Sequence, residues 1–206
     1  PEGDPLTVLS YDASGLLGQL TWTPTPAGSL DTTFDTDGLL TTAVGSRDNV
    51  VQAVAQQADG KIVAAGYVWN GSNYDFALAR YNPDGSLDTT FSGDGLLSTN
   101  FGSTEYAYAV AVQPDGKIVA AGYASNGSNS DFALARYNPD GSLDTTFSDD
   151  GLLTTDFGSN NYDYAYAVVV QADGKIVAAG SAYNGVNRDF ALARYNPNGS
   201  LDTTFS

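Results

Sequence analysis

One seven-residue phrase, GSLDTTF, occurs four times in the 206 residues of this chain. Its copies begin at Gly28, Gly85, Gly141 and Gly199, which are 57, 56 and 58 residues apart. A fixed period of this kind is the signature of tandem structural modules, each of which packs against its neighbours. The repeat therefore restricts the chain to architectures that grow by adding one module at a time.

The positions of the phrase define the organisation of the chain. Residues 1–27 precede the first copy and form an N-terminal segment. Three tandem repeats of about 57 residues follow at 28–84, 85–140 and 141–198, and a partial fourth occupies 199–206. We expect the N-terminal segment to be a linker or to supply strands to a sheet.

Each repeat contains four stretches that are typical of β-strands. In the second repeat they lie at 96–101, 106–113, 117–123 and 131–138. Tyrosine and valine alternate with alanine in the second stretch, and this period of two predicts a strand with one bulky and one small face. The QPDGK sequence that follows at 113–117 has Pro and Gly where a tight hairpin turn requires them.

Hairpin turns within each repeat favour antiparallel sheets. The predicted fold class is all-β, a β-propeller-like array of three four-stranded antiparallel blades. A linear β-solenoid is the alternative, because it also stacks one short repeat on the next.

The repeated residues resemble a known family. The succession of DGKIVAAG, DFALARYNPDGSLDTTF and a GLLTTDFG-like segment is similar to the delta-60 repeat, a predicted β-propeller repeat of bacterial secreted and surface proteins. The resemblance covers residues 28–206. It implies a scaffold, and it brings no catalytic motif with it.

Three repeats are fewer than the roughly 4–8 blades of typical propellers, which raises the question of how the array is completed. The N-terminal segment offers two candidate strands, at 5–11 and 19–25. We expect them to complete the array within the same chain or to be donated to a neighbouring chain in a head-to-tail contact. The third alternative is that they link the repeats to a preceding domain.

Composition excludes several classes of function. The formal net charge is −16, from 24 acidic and 8 basic residues, and it disfavours binding to nucleic acid and to anionic membranes. The chain has no Cys, His or Met, which excludes disulfides, zinc sites and a Ser-His-Asp triad. Its apolar runs are far shorter than the roughly 18 residues of a membrane-spanning helix. We expect no catalytic residues, no enzymatic activity and no membrane insertion.

Acidic side chains cluster in the turns that follow the last strand of each repeat. Without nitrogen or sulfur ligands nearby, they suit only a hard cation such as calcium. The alternative is that Asp and Asn serve the turns themselves through local hydrogen bonds. The candidate calcium ligands are Asp84, Asp88, Asp94, Asp140, Asp144 and Asp150.

Six of the eight basic residues recur in register with the repeat, which favours structural ion pairs over ligand recognition. We expect each repeated arginine to pair with an aspartate of a neighbouring blade. The arginines are Arg80, Arg136 and Arg194, and the aspartates that open the same strands are Asp75, Asp131 and Asp189.

The loops between the third and fourth strands differ most among the repeats, which leaves more room for ligand binding there. Their aromatic side chains can stack on sugar rings, although ordinary loop divergence accounts for them as well. The candidate glycan-binding residues are Trp69, Tyr74 and Tyr183. Three N-G-S sequences are formal N-glycosylation acceptors, but Asn-Gly is also common in turns. Their asparagines are Asn70, Asn126 and Asn198.

Together these features predict a non-enzymatic structural protein outside the cell or on its surface. It would be a β-repeat subunit of a filament, an adhesin or another assembly that self-associates head to tail. The alternative is a propeller-type binding module for glycans or calcium, which would use the variable loops and the acidic turns.

Overall fold

The computed structural model describes residues 7–11, 17–21, 28–158 and 162–205. The chain divides into two compact units, Pro1–Leu39 and Leu40–Ser206. The first unit contains an antiparallel hairpin of β1 (Thr7–Tyr11) and β2 (Leu17–Thr21). These strands overlap the two that the sequence predicts in the N-terminal segment, whose remaining residues lie outside the described ranges.

The described residues of the second unit form eleven strands in three antiparallel sheets. The first sheet contains β3 (Asn49–Gln56), β4 (Ile62–Trp69), β5 (Tyr74–Tyr81) and β6 (Leu96–Thr99). The second contains β7 (Glu105–Val112), β8 (Ile118–Ser125), β9 (Ser130–Tyr137) and β10 (Leu152–Thr155). The third contains β11 (Tyr164–Val170), β12 (Ile176–Tyr183) and β13 (Arg188–Tyr195).

This architecture confirms the predicted all-β class. The described part of the chain contains no helix that could cross a membrane.

The short strand after the second and after the third GSLDTTF phrase joins the preceding sheet. Leu97 of β6 lies opposite Leu78 of β5, and Leu153 of β10 lies opposite Leu134 of β9. The expected grouping of 96–101 with the three strands that follow it was therefore wrong. Because the loops that carry the phrase fold back on their own sheets, the first and second sheets each end with a strand that lies beyond the phrase.

Successive sheets pack face to face, and apolar side chains form a core at each contact. We call the contact between the first and second sheets the first junction, and that between the second and third sheets the second junction. At the first junction Phe76 and Leu78 share one buried core with Ala120 and Ala135 of the next sheet. Large residues on one sheet therefore meet small residues on the next, and each fully buried Phe contributes about 2 kcal/mol through apolar burial.

A glycine in the second strand of each sheet allows the first two strands to approach closely. A Cβ atom at Gly122 would lie 1.8 Å from the backbone oxygen of Tyr106. The register of β7 against β8 shifts by one residue just beyond this point, between Ala107 and Ala109. Gly66 and Gly180 occupy the same position in the other two sheets. The repeated KIVAAG sequence thus ends in Gly because no side chain fits there.

The predicted hairpin turns are confirmed. In the NPDGS turn, the amide of Asn138 donates to the Ser142 carbonyl at 2.8 Å, and Gly141 adopts a positive φ of 90° that glycine tolerates best. In the DGK turn, the Lys117 amide donates to Asp115 Oδ1 at 3.1 Å.

The two outer faces of the sheet stack expose residues whose equivalents are buried at the junctions. Phe190 and Leu192 of β13 are exposed on the third sheet, where their equivalents in the second sheet are fully buried. On the first sheet, Val51 and Val54 of β3 are exposed, whereas Ala107, the equivalent of Val51, is fully buried. The first and the third sheet therefore each expose a face of the kind that is buried at a junction, and the two faces are the two different sides of such a contact.

Candidate functional site

An arginine organises the loop end of each sheet, and it is buried in the first two sheets and partly buried in the third. Arg80 donates through Nε to Asp88 Oδ2 at 2.7 Å, and Lys61 Nζ lies 2.9 Å from the same oxygen. Burial alone would raise the pKa of Asp88, but hydrogen bonds from the Thr90 hydroxyl and from Lys61, together with the Arg80 charge, hold it well below its ordinary value. The Arg80 guanidinium also stacks over the Phe91 ring, 4.6 Å from its centroid.

The same arginine ties each sheet to the next. Arg80 Nη1 donates to the carbonyl oxygen of Pro139 at 2.5 Å, and Arg136 makes the equivalent bond to Pro197. The prediction that the arginines are structural is consistent with these contacts. The expected partner was wrong, because the aspartate lies in the β5–β6 loop of the arginine's own sheet and the neighbouring sheet contributes a backbone carbonyl instead.

The predicted calcium ligands are distributed between ion pairs and turns. Asp88 and Asp144 are buried and accept bonds from the arginine and lysine of their own sheets. The other candidates accept backbone amides two residues further along the chain: Asp84, Asp94, Asp140 and Asp150. Each of the six therefore has a structural partner, and calcium binding at these positions stays a prediction.

The asparagines of the three N-G-S sequences also bond within their own loops. Asn70 Nδ2 donates to Asp75 Oδ1 at 2.7 Å, and Asn126 Nδ2 lies 3.4 Å from Asp131 Oδ2. Asn198 Oδ1 accepts the Ser200 amide at 3.1 Å, which is the same turn hydrogen bond that an aspartate accepts in the preceding two copies. Glycosylation at these positions remains a prediction.

Nine aromatic side chains from all three sheets form a continuous row, which we call the aromatic row. Neighbouring ring centroids along it lie 4.3–6.3 Å apart. Its members are Trp69, Tyr74, Tyr67, Tyr106, Tyr123, Tyr108, Tyr164, Tyr166 and Tyr162. The row includes two of the three predicted glycan candidates, Trp69 and Tyr74, whose rings lie 5.1 Å apart. The third, Tyr183, lies at the end of β12, and its amide donates to Asp163 Oδ1 at 3.2 Å.

The row crosses both junctions. Tyr67 of the first sheet contacts Tyr106 of the second at 4.3 Å, and Tyr123 of the second contacts Tyr164 of the third at 4.7 Å. None of the nine side chains is fully buried, and Tyr162 and Tyr166 are about half exposed. Burial and the neighbouring phenols raise the pKa of Tyr123, so the ring hydroxyl stays neutral and can both donate and accept hydrogen bonds.

Two arginines flank the row. The guanidinium carbon of Arg47 lies 5.9 Å from the Trp69 ring centroid, and that of Arg188 lies 4.7 Å from the Tyr164 ring centroid. Arg188 also donates to the carbonyl oxygen of Tyr162 at 3.0 Å. Sequence reasoning missed most of this surface, although alternating tyrosines at 106, 108, 164 and 166 were a signal for it.

Carboxylate side chains lie close together at both junctions. At the second junction Asp131, Asp156 and Asp163 each offer an oxygen, and these oxygens lie within 4.8 Å of one another. Burial raises the pKa of Asp131, and the charges of the other two carboxylates raise it further. At the first junction, burial raises the pKa of Glu105, and the neighbouring Asp75 adds to the shift.

The outer edge of the third sheet borders a groove of about 320 Å³. It is lined in part by Phe157, Leu192, Arg194 and Phe205. In the first two sheets a fourth strand pairs with this edge, and within the described residues, which end at 205, the edge of β13 has no such strand.

Comparison with known proteins identifies the repeat. Segments 57–91, 113–147 and 171–205 match the family model described as domain of unknown function (DUF5122) beta-propeller. None of the curated proteins matches the chain. Among solved structures, the chain is similar to a fucose lectin from Kordia zhangzhouensis in complex with methyl-fucoside, with a TM-score of 0.39 and 13% sequence identity, over 73% of this chain and 96% of that one.

The family match supports the predicted β-propeller repeat, while the finer assignment to the delta-60 repeat stays a prediction. The three matched segments make up just over half of the sequence. The chain therefore belongs to the DUF5122 β-propeller family.

Proposed function

We propose that this β-propeller repeat domain is a non-enzymatic, extracellular or cell-surface binding module that takes carbohydrate on the aromatic row. The observation that carries the proposal is that rings from three sheets form one part-exposed surface. Tyr and Trp present an apolar face beside a polar edge, which matches a sugar ring with its C–H face and its hydroxyl groups. This surface depends on the stacking of the repeats and not on any single loop.

The two flanking arginines add hydrogen-bond donors to the surface. Arg188 is exposed, and its guanidinium lies against Tyr164. A planar guanidinium held over a ring can donate to sugar hydroxyl groups or to the carboxylate of an acidic sugar. The proposal therefore favours ligands that combine a stacking face with acceptor oxygens.

A glycan array probed with the purified chain, followed by calorimetric titration of the best ligand, tests this function. Tyr166→Ala and Trp69→Ala should each weaken binding by about tenfold, near the upper end of what one aromatic contact contributes. Val186→Ala is the matched control, because Val186 is an exposed apolar residue in the β12–β13 loop and is not part of the row. An array without any bound glycan, or equal losses in all three variants, would contradict the proposal.

A second candidate function is head-to-tail self-assembly, which the two open faces of the sheet stack support. Phe190 is 98% exposed, whereas Phe132 at the same position of the preceding repeat is fully buried by the next sheet. Val51 and Val54 present the complementary half of a junction on the first sheet. A second copy of this chain would supply the missing half at each side, in a heterologous contact that can propagate.

Two single-face variants test assembly. Phe190→Ser should disable one face and Val54→Ser the other, so each variant alone should stay monomeric by light scattering while the unmodified chain associates with concentration. An equimolar mixture of the two variants should form a dimer and nothing larger, because only one pair of intact faces remains. A monomeric wild-type chain at every concentration would rule this function out.

A further inference from the structure

A buried carboxylate oxygen at the first junction lacks a partner. Glu105 is fully buried, and its Oε1 accepts the Ser103 amide at 2.8 Å. Its Oε2 is also buried and has no hydrogen-bond partner among the described residues. The carboxylate of Asp75, itself buried, lies beside it. A buried acceptor without a donor is costly, and a second carboxylate beside it increases the cost.

No basic side chain neutralises this pair. In the part of the chain that the structure describes, neither Asp75 nor Glu105 forms an ion pair with Lys or Arg. Asp75 Oδ1 accepts side-chain amides from Asn70 at 2.7 Å and Asn100 at 3.0 Å. Asp75 is thus held by two neutral amide donors, and no ion pair within the described residues balances the charge of the two carboxylates.

The second junction has the same arrangement with more negative charge. Asp131 is equivalent to Asp75 and Asp163 to Glu105, while Asp156 replaces Asn100. Asp163 is fully buried and held in place by the amides of Phe157 at 3.0 Å and Tyr183 at 3.2 Å. Its carboxylate therefore has a fixed orientation, with two other carboxylates facing it.

We propose that each junction binds one calcium-type divalent cation, held by Asp75, Asn100 and Glu105 at the first junction and by Asp131, Asp156 and Asp163 at the second. The donors are all oxygen atoms, which hard cations prefer. Oxygen ligands at about 2.4 Å from one calcium ion lie up to roughly 4.8 Å apart, so the carboxylate oxygens at the second junction, which lie within 4.8 Å of one another, are close enough to share one ion. Asn100 would turn its side-chain oxygen toward the ion.

Each ion would join two sheets. Asp75 opens β5 of the first sheet and Glu105 opens β7 of the second, so an ion between them crosslinks the first junction. Asp131 in β9 and Asp163, just before β11, do the same at the second. Calcium should therefore stabilise the stacking of the repeats and not the acidic turns, where the sequence alone suggested it would bind.

Calcium chloride titration of the chelator-treated chain tests the sites, with terbium luminescence sensitised by the nearby tyrosines as a second readout. We expect two ions per chain, and each saturated site should raise the unfolding midpoint by about 5–10 °C at a hundredfold excess over its Kd. Glu105→Gln should remove the first site alone, and Asp156→Asn should weaken the second about tenfold or more. Asp115→Asn, which neutralises an exposed turn carboxylate, is the control and should change neither.

A gain-of-function variant distinguishes a bound cation from a proton shared by the two carboxylates. Asn100→Asp gives the first junction the same three carboxylates as the second and should tighten calcium binding there about tenfold. If the chain binds no calcium or terbium, the proposal is wrong. The proposal is also wrong if the Glu105→Gln variant still binds two ions and its unfolding midpoint is raised equally in calcium and in chelator. A proton shared by the two carboxylates would then explain why they lie side by side. Asp156 is exposed, so we expect Asp156→Asn to fold. This variant therefore still tests the second site if Glu105→Gln does not fold.

Discussion

Phe132 and Phe190 occupy the same position in successive repeats, yet Phe132 is fully buried at the second junction and Phe190 is 98% exposed. The residues before and after them in the strand are also the same, since both lie in the sequence DFALARY. Their environments differ only because a following sheet covers Phe132 and none of the described residues covers Phe190. Comparing substitutions at these two positions therefore shows how much one junction contributes to the free energy of unfolding.

Phe132→Ala and Phe190→Ala should therefore differ strongly in stability. We expect Phe132→Ala to lower the free energy of unfolding by about 3–5 kcal/mol, because it leaves a cavity in the core. Phe190→Ala should change it by less than about 0.5 kcal/mol in the monomer. Urea denaturation at low protein concentration measures both, and equal losses would mean that Phe190 is covered in solution.

Gly122→Ala should destabilise the second sheet by about 3 kcal/mol or more, because the new methyl group would collide with the Tyr106 carbonyl. The control is Gly127→Ala in the β8–β9 loop, where a Cβ atom meets nothing within 4 Å and only the positive φ of 89° opposes the change. Thermal unfolding of both variants checks the ranking. A Gly122 variant as stable as the control would show that β7 and β8 can separate at little cost.

Stability should fall in acid as the aspartates of the arginine clusters become protonated. The pKa of Asp88 and of Asp144 lies below the ordinary value of 3.8, so the unfolded chain binds more protons than the folded chain as the pH falls below 3.8. Their contribution is therefore complete above that pH and is lost progressively below it. Urea denaturation from pH 7 to pH 2 follows the change.

Asp88→Asn isolates one of these clusters. It leaves Arg80 buried without its carboxylate and should cost about 3 kcal/mol at pH 7. The difference from the unmodified chain should shrink as the pH falls below 3.8, because Asp88 of the unfolded chain is then protonated and must release its proton on folding. Asp84→Asn is the matched control, because Asn198 already serves the same turn in the last repeat, and it should leave stability unchanged. A constant difference at all pH values would mean that charge pairing is not the role of Asp88.

The link between Arg136 and the next repeat should make Arg136→Lys more harmful than Arg194→Lys. Arg136 donates to Pro197 of the following turn, and a lysine cannot keep this bond together with the one to Asp144. We expect a loss of about 1–3 kcal/mol in the first variant, as for other buried hydrogen bonds to charged groups. Equal losses, measured by urea denaturation, would show that the carbonyl contact contributes nothing.

Much of the fold could be predicted because the relevant signals are local. The alternation in 106–113 predicted β7, and Pro and Gly at 113–117 predicted the turn that follows it. Partners that are distant in the sequence could not be predicted in this way. Nothing in the period of the repeat indicates that Leu97 pairs with Leu78, because a short apolar strand fits either neighbouring sheet.

The candidate site was less predictable for the same reason. Trp69 and Tyr74 were predicted as candidates from their position at a variable loop. Most of the tyrosines that contact them directly or through other rings belong to the other two sheets, and only the packing of the sheets brings these rings together. Asp131 and Asp163 are separated by 32 positions and meet at a junction that sequence spacing does not reveal. The arginine clusters show the converse: Arg80 was expected to reach an aspartate of a neighbouring blade, and its partner is eight positions away in the same sheet.

The pairing of β6 with β5 also bears on how the number of repeats can change. Since the second and third GSLDTTF phrases lie between the third and fourth strands of a sheet, a genetic exchange between these two copies splices the front of one sheet to the last strand of another. The two pieces have nearly identical sequences, so the hybrid sheet keeps its register. Unequal recombination can therefore lengthen or shorten the array by whole periods without leaving a mismatched sheet at the point of exchange.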